Sequence, residues 1–234
     1  MQESLPILIE QSISSKELQK LSSKAINTLD DNALSSVLEF VPYVSAAKKI
    51  VNFAYETHER SFIRKFVTYL WGIKEISFEQ RIAFCSEVAD NAEDSSGEFF
   101  LSIINRIDHL KKANILANIS IARINNQIDI EDFFRLCHVL ERIPFIDLKY
   151  LKDYVNPFYQ PCSTEMLASS GVISLSVIDG GYIDQKNATD KYQLTDIGYK
   201  LLKYGLNENV NFESLKGIQI PTIGWQDIDD MFNK

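Results

Sequence analysis

The chain has 234 residues, 24 Lys and Arg against 32 Asp and Glu, and a formal net charge of -8; it is 45% hydrophobic and 24% charged. That composition supports a buried core and excludes a disordered chain. The acidic balance argues against bulk affinity for nucleic acid and leaves room only for a local basic face.

The three cysteines, Cys85, Cys137 and Cys162, are far apart and lack C-x-x-C spacing. They read as free thiols of a reducing, cytoplasmic compartment. The sequence opens with no charged-then-apolar leader, and no apolar run is long enough to suggest a membrane-spanning helix.

In chain order, residues 1–13 are mixed, with Pro6 inside an apolar run. Ser14 and Glu17 have capping-box spacing and predict a helix to about residue 28, with Leu18, Leu21, Ala25 and Leu29 on one face. Asp30, Asp31 and Asn32 break it, and 33–41 is a shorter helix stopped by Pro42.

Residues 44–73 predict one long helix. Ala47, Ile50, Val51, Ala54, His58, Phe62, Phe66, Val67 and Leu70 recur at helical spacing. Lys48, Lys49, Arg60, Arg64, Lys65 and Lys74 outnumber Glu56 and Glu59, with aromatics interleaved (Phe53, Tyr55, Phe62, Phe66, Tyr69, Trp71). Such a helix has a solvated basic face, lies on an anionic membrane, or meets a partner or nucleic acid. The candidate basic face is Lys48, Lys49, Arg60, Arg64 and Lys65.

Ser77 with Gln80 and Ser95 with Glu98 form two further capping boxes. The first opens a helix to about residue 92. The second opens one whose apolar face is Phe99, Phe100, Ile103, Ile104, Ile107 and Leu110, continuing through 113–124 as a helix too apolar all round for the surface. After an Asn125-Asn126-Gln127 turn, Asp129 caps a helix over 130–143, with Phe133, Phe134, Leu136, Cys137 and Leu140 inward and Pro144 as its stop. A short helix over 147–154 leads into 163–171, where Ser163 starts and Gly171 ends another. These are consecutive antiparallel helices without a fixed repeat.

Val172 to Ile178 alternates with Ser174 and Ser176 as a half-buried strand, Asp179-Gly180-Gly181 turns, and Tyr192 and Leu194 alternate as a second strand. Thr195 can cap a last helix whose apolar face is Ile197, Leu201, Leu202 and Tyr204.

Tyr192-Gln193-Leu194-Thr195-Asp196-Ile197-Gly198-Tyr199-Lys200-Leu201-Leu202 resembles the Y-x-L-T-x-x-G-x-x-L-L exit from the wing of many winged-helix regulators, and 167–173 resembles the L-x-x-x-G-L-I entry. The likeness covers residues 167–206. It implies a winged-helix-like element, which in that family binds DNA or protein. A DNA reader of that kind uses Lys and Arg on the helix before the wing. Here Ser163 to Ser170 has neither and carries Glu165, and 144–206 holds six basic and seven acidic residues. Packing or protein contact is the better expectation.

Residues 217–234 read GIQIPTIGWQDIDDMFNK, too apolar for a solubilising tail. The segment packs on its own domain or docks on another chain. Trp225, with Ile223, Ile228, Met231 and Phe232, is the candidate partner-binding set, because tryptophan carries disproportionate interface energy.

Catalytic signatures are missing: no phosphate-binding loop, G-x-S-x-G or H-E-x-x-H motif, and no Cys/His set for zinc. His58, His109 and His138 are scattered. Cys137 and His138 are neighbours that point apart on a helix. Asp129, Glu131 and Asp132 suit the positive end of a helix and need no ion.

The expected fold is mainly α: a helical region over 1–125, a helical to winged-helix-like region over 126–206 sharing its core, and a tail over 207–234. The expected function is non-enzymatic, without cofactor or metal: binding to other protein chains, or to itself, as an adaptor, regulator or subunit. The alternatives are a DNA-binding regulator of winged-helix type and a peripheral membrane effector using the basic aromatic helix. In general style the chain is similar to accessory proteins of bacterial phage-defence or mobile-element loci, a likeness no motif carries.

Overall fold

The computed structural model describes residues 4–20, 57–155, 164–176 and 191–208. The helices expected over 21–41, the first part of the long helix (44–56), Cys162, the loop at 179–190 and the segment 217–234 lie outside the described residues.

The described elements are α1 (Leu5–Ile13), a 3-10 turn (Lys16–Lys20), α2 (Thr57–Ile73), α3 (Phe78–Asn91), α4 (Ser96–Arg106), α5 (Leu110–Ile124), α6 (Ile130–Arg142), α7 (Phe145–Leu148), a second 3-10 turn (Leu151–Val155), α8 (Thr164–Ser169), β1 (Ile173–Ser176), β2 (Lys191–Leu194) and α9 (Asp196–Lys200), which runs into a π-helical turn (Leu201–Gly205). The molecule is mainly α, with one two-stranded sheet among the described residues. Among them no helix is long and apolar enough to cross a membrane.

Helix starts follow the capping chemistry closely. Ser77 Oγ accepts from the Gln80 amide at 3.2 Å while Gln80 Oε1 accepts from the Ser77 amide at 3.3 Å. Ser95 and Glu98 repeat that exchange at the head of α4. Asp129 Oδ1 accepts from the Asp132 amide at 2.7 Å at the head of α6. Each satisfies backbone donors that the first helical turn leaves without partners.

The helix start expected at Ser14 is corrected, while the remainder of that helix, 21–28, lies outside the described residues. Residues 5–13 are helical, because Pro6 sits in the first turn, where its missing N–H costs nothing. Ser14 therefore ends α1 instead of opening a helix, and its hydroxyl lies 3.7 Å from the Cys85 sulfur. The run over 99–124 is also broken. Ile107 ends α4 and His109 caps α5, its Nδ1 accepting from the Lys111 amide at 3.1 Å. The short helix expected over 147–154 divides into α7 and the second 3-10 turn.

α5 is the centre of the packing. Ala113, Ile115, Leu116, Ala117, Ile119 and Ala122 on it are all buried, as its all-round apolarity demands. Its closest neighbour is α2, where Gly72 lets the backbones meet: a Cβ there would collide with the Ala117 Cβ. One hydrophobic cluster runs from Leu8 to Leu202. Its aromatic heart is Tyr69, Phe84, Phe99, Phe100, Phe133 and Phe134, with neighbouring rings 5.1 to 5.9 Å apart.

The hairpin is antiparallel, pairing Ile173 with Leu194, Ser174 with Gln193, Leu175 with Tyr192 and Ser176 with Lys191. Its base is stapled by Thr195. The Thr195 hydroxyl donates to the Gly171 carbonyl at 2.7 Å and accepts from the Gly198 amide at 3.1 Å, and the Thr195 amide donates to the Val172 carbonyl at 3.0 Å. Gly171 has φ +78°, the left-handed conformation that glycine adopts at a helix end. Gly198 is needed for space, because a Cβ there would strike the Val172 carbonyl.

Candidate functional site

Two open concavities stand out among the described residues. The first is an apolar groove of about 490 Å³ between α7, the turn that follows it and the end of the C-terminal helix. Phe145, Ile146, Leu148, Lys149, Lys152, Leu202, Leu206 and Glu208 line it. Leu148 and Leu202 are buried and form the floor. Ile146, Lys149 and Lys152 are exposed and form the rim. Ile146 is 65% exposed, the most exposed large apolar side chain among the described residues.

The geometry of this groove depends on residues far away in sequence. Pro144 ends α6 and starts α7, and the Phe145 amide behind it donates to Asp108 Oδ2 at 3.0 Å. His109 stacks on the Phe145 ring, centroids 4.0 Å apart and planes 7° from parallel. Asp108 is itself held by Lys112, whose buried ammonium lies 2.5 Å from Oδ1. Burial works to raise the Asp108 carboxyl, but the bonds from Lys112 and the Phe145 amide outweigh it, and its pKa falls below the ordinary value.

The opposite wall ends in a π-helical turn. Leu206 N–H reaches back to Leu201, the Gly205 carbonyl accepts from Asn118 Nδ2 at 2.9 Å, and Asn207 takes φ 55° to close the helix. The Glu208 amide then donates to the Leu202 carbonyl at 3.1 Å and satisfies one of the last free carbonyls of the helix.

The second concavity, about 630 Å³, is a cleft between α4 and α6 with Phe99 and Phe134 at its base. Arg106 on α4 pairs across the cleft with Glu141 on α6, and Arg135 pairs along α6 with Glu131, both at 3.5 Å. Cys137 and His138 both border it but do not face one another: Cys137 is buried and His138 is exposed. Burial pushes the Cys137 thiol well up from its ordinary value, and the Cys85 thiol up to about 11. Neither is poised as a nucleophile.

The candidate basic face is corrected at one position. Lys65 is buried, its ammonium donating to the carbonyls of Asn105 at 3.2 Å and Ile107 at 2.9 Å. These carbonyls at the end of α4 lack intrahelical donors and carry the negative end of the helix dipole, which is why a lysine is drawn inward. Burial lowers the Lys65 pKa, against the pull of Asp108. Arg64, one residue away, is exposed. Arg60 lies on the same helix, and Lys48 and Lys49 lie outside the described residues. Lys74 is taken up by Glu75 at 3.3 Å and by the Trp71 ring at 3.6 Å. The aromatic set around Trp225 (Ile223, Ile228, Met231, Phe232) lies outside the described residues.

Little in the sequence signals the groove. Its one sequence signal is Ile143-Pro144-Phe145-Ile146, two apolar residues just after a helix stop, and a four-residue helix is too short to show periodicity. Asp132, a helix-start acid by its place in the sequence, is also the partner of Lys200 on α9, 2.5 Å away.

Compared with known protein families, with curated proteins and with solved structures, the chain finds no match.

Proposed function

We propose that this is a non-enzymatic binding protein, an adaptor, regulator or assembly subunit, that holds another protein segment in the groove beside α7. The observation that carries this reading is Ile146, exposed at the rim of an apolar concavity and flanked by Lys149 and Lys152. An apolar floor with a charged rim is the anatomy of a protein-binding surface. We read residues 167–206 as winged-helix-like, on the support of the helix–strand–strand–helix order and the antiparallel pairing.

The same order of elements favours a DNA-binding regulator as the second reading. The charges weaken it: α8 has no Lys or Arg, and Lys65 is withdrawn into the core. The membrane reading loses Lys65 in the same way.

The test is co-purification from the cells that make the protein, with Ile146→Glu compared against Ile82→Glu, an exposed apolar residue on α3. Wild type and Ile82→Glu should retain a shared set of proteins that Ile146→Glu loses. Identical sets from all three would refute the groove as the binding surface. Duplex DNA titrated across salt should show no steeply salt-dependent affinity.

A further inference from the structure

We infer that two copies of this chain pair about a two-fold axis along the groove beside α7, each setting Ile146 into the other's groove and Lys149 and Lys152 against the other's Glu208. This rests on the reading of the groove as a protein-binding surface and names a second copy as its occupant.

Shape argues for it first. Ile146 is 65% exposed and stands at the rim of a concavity of about 490 Å³ floored by Leu148 and Leu202. An apolar projection and an apolar recess thus share one patch. A two-fold contact brings the same patch together from both copies, so each projection meets the other copy's recess. Both Ile146 side chains then leave water in one step, and burial of that apolar surface drives association. The projection is also braced. The Phe145 amide is held by Asp108 and the Phe145 ring stacks on His109, so little freedom is lost when the neighbouring Ile146 docks.

Charge argues for it next, and selects the partner. The wall made by α7 and the turn after it carries Lys149 and Lys152, and the wall at the end of the C-terminal helix carries Glu208, all three exposed. Among the described residues none of the three is engaged in an ion pair. Lys149 rests over the ring of its neighbour Tyr150, 4.6 Å from the centroid. An acidic peptide laid in the groove would meet Glu208 on one wall, and a basic one would meet the two lysines on the other. A second copy, turned about an axis along the groove, sets its lysine wall against Glu208 and its own Glu208 against the lysines. Opposite signs then face each other on both sides, which fixes the register of the pair.

The test is the solution mass of the full-length protein by light scattering across a dilution series. Wild type should rise with concentration from the mass of one chain to that of two and stop there, because a two-fold contact closes. Ile146→Glu removes both projections at once and should weaken pairing about a hundred-fold, about ten-fold for each groove. Ile82→Glu on α3 should leave it unchanged. The decisive pair of proteins is Lys149→Glu with Lys152→Glu in one chain and Glu208→Lys in another. Each protein alone sets like charges against each other at both walls and should be a monomer. Mixed in equal amounts, the two restore opposite signs at both walls and should pair as tightly as wild type. All these substitutions fall on exposed side chains, and each variant should keep the wild-type circular dichroism.

A wild type that stays monomeric throughout would overturn the inference, as would growth beyond two copies. So would a dimer indifferent to Ile146→Glu, or charge variants that fail to pair when mixed. If wild type is a monomer while Ile146→Glu still strips captured proteins, this inference falls and the proposed function stands. If the charge variants pair as expected while wild type and Ile146→Glu capture the same proteins, the two-fold pairing stands and the proposed capture of other proteins falls.

Discussion

Arg81 and Asp108 show how single residues hold this molecule. Arg81 is fully buried and bonds to three backbone carbonyls: its Nε donates to that of Ile13 at 2.8 Å, Nη2 to that of Ser15 at 2.6 Å and Nη1 to that of Ile76. The guanidinium thus closes the end of α1 and the approach to α3 together. Burial lowers its pKa, with Cys85 and Glu79 opposing. Arg81→Met should leave three carbonyls unsatisfied and cost about 3–5 kcal/mol, since each such group costs about 1–3 kcal/mol. A drop in the urea midpoint measures it, and Arg81→Lys should restore only part, because an ammonium cannot span the three acceptors. Asp108 is the second case, read through pH. Its folded pKa lies below the unfolded value, so its stabilisation is complete above the ordinary carboxylate range and drains away as pH falls through the folded pKa. Wild type should therefore lose its stability margin over Asp108→Asn in acid and keep it at neutral pH, as followed by urea midpoints across pH.

Between elements, the hairpin region is joined to the helical body by Lys200. Its ammonium lies 2.5 Å from Asp132 on α6 and 2.6 Å from Asp196 on its own helix. Burial works against the charge, but the two carboxylates outweigh it and hold the Lys200 pKa above the ordinary value. The Asp132 side chain is 8% exposed, so removing its partner strands a carboxylate. Lys200→Met should cost about 3 kcal/mol, the lower end for breaking a buried pair. Lys200→Met combined with Asp132→Leu should recover much of that loss, and chemical denaturation of the four proteins in the cycle would show it. Strictly additive losses would mean that the pair does not join α9 to α6. The contrast with Arg106–Glu141 and Arg135–Glu131 is one of burial: those pairs sit in solvent, where ion pairs are worth little.

The described residues share one hydrophobic cluster, with α5 inside it and both α1 and the C-terminal helix packed against the rest. Among the described residues this cluster takes in both the helical body and the hairpin region, so the two should unfold together. Far-ultraviolet and near-ultraviolet circular dichroism should give superimposable urea transitions. Two separated midpoints would show that the hairpin region is an independent unit. The groove lies on the outer side of this shared core, where α7 and the last helix diverge, and Leu148 and Leu202 serve both.

The sequence by itself determined the mainly helical class, three of the helix starts and the hairpin with its capped exit. Those features are local: Ser77, Ser95, Asp129 and Thr195 satisfy amide groups within three residues of themselves, and the strand alternation spans a few positions. It also determined that α5 must be central, because that helix has no polar face to give to water. Only the tertiary structure decided that α1 is a helix locked by Arg81, that Lys65 turns inward, that Lys200 seeks Asp132, and that Phe145, Ile146, Leu202 and Glu208 enclose a groove. Each of these depends on contacts between residues 30 to 70 positions apart. Packing, and no local propensity, brings such residues within reach.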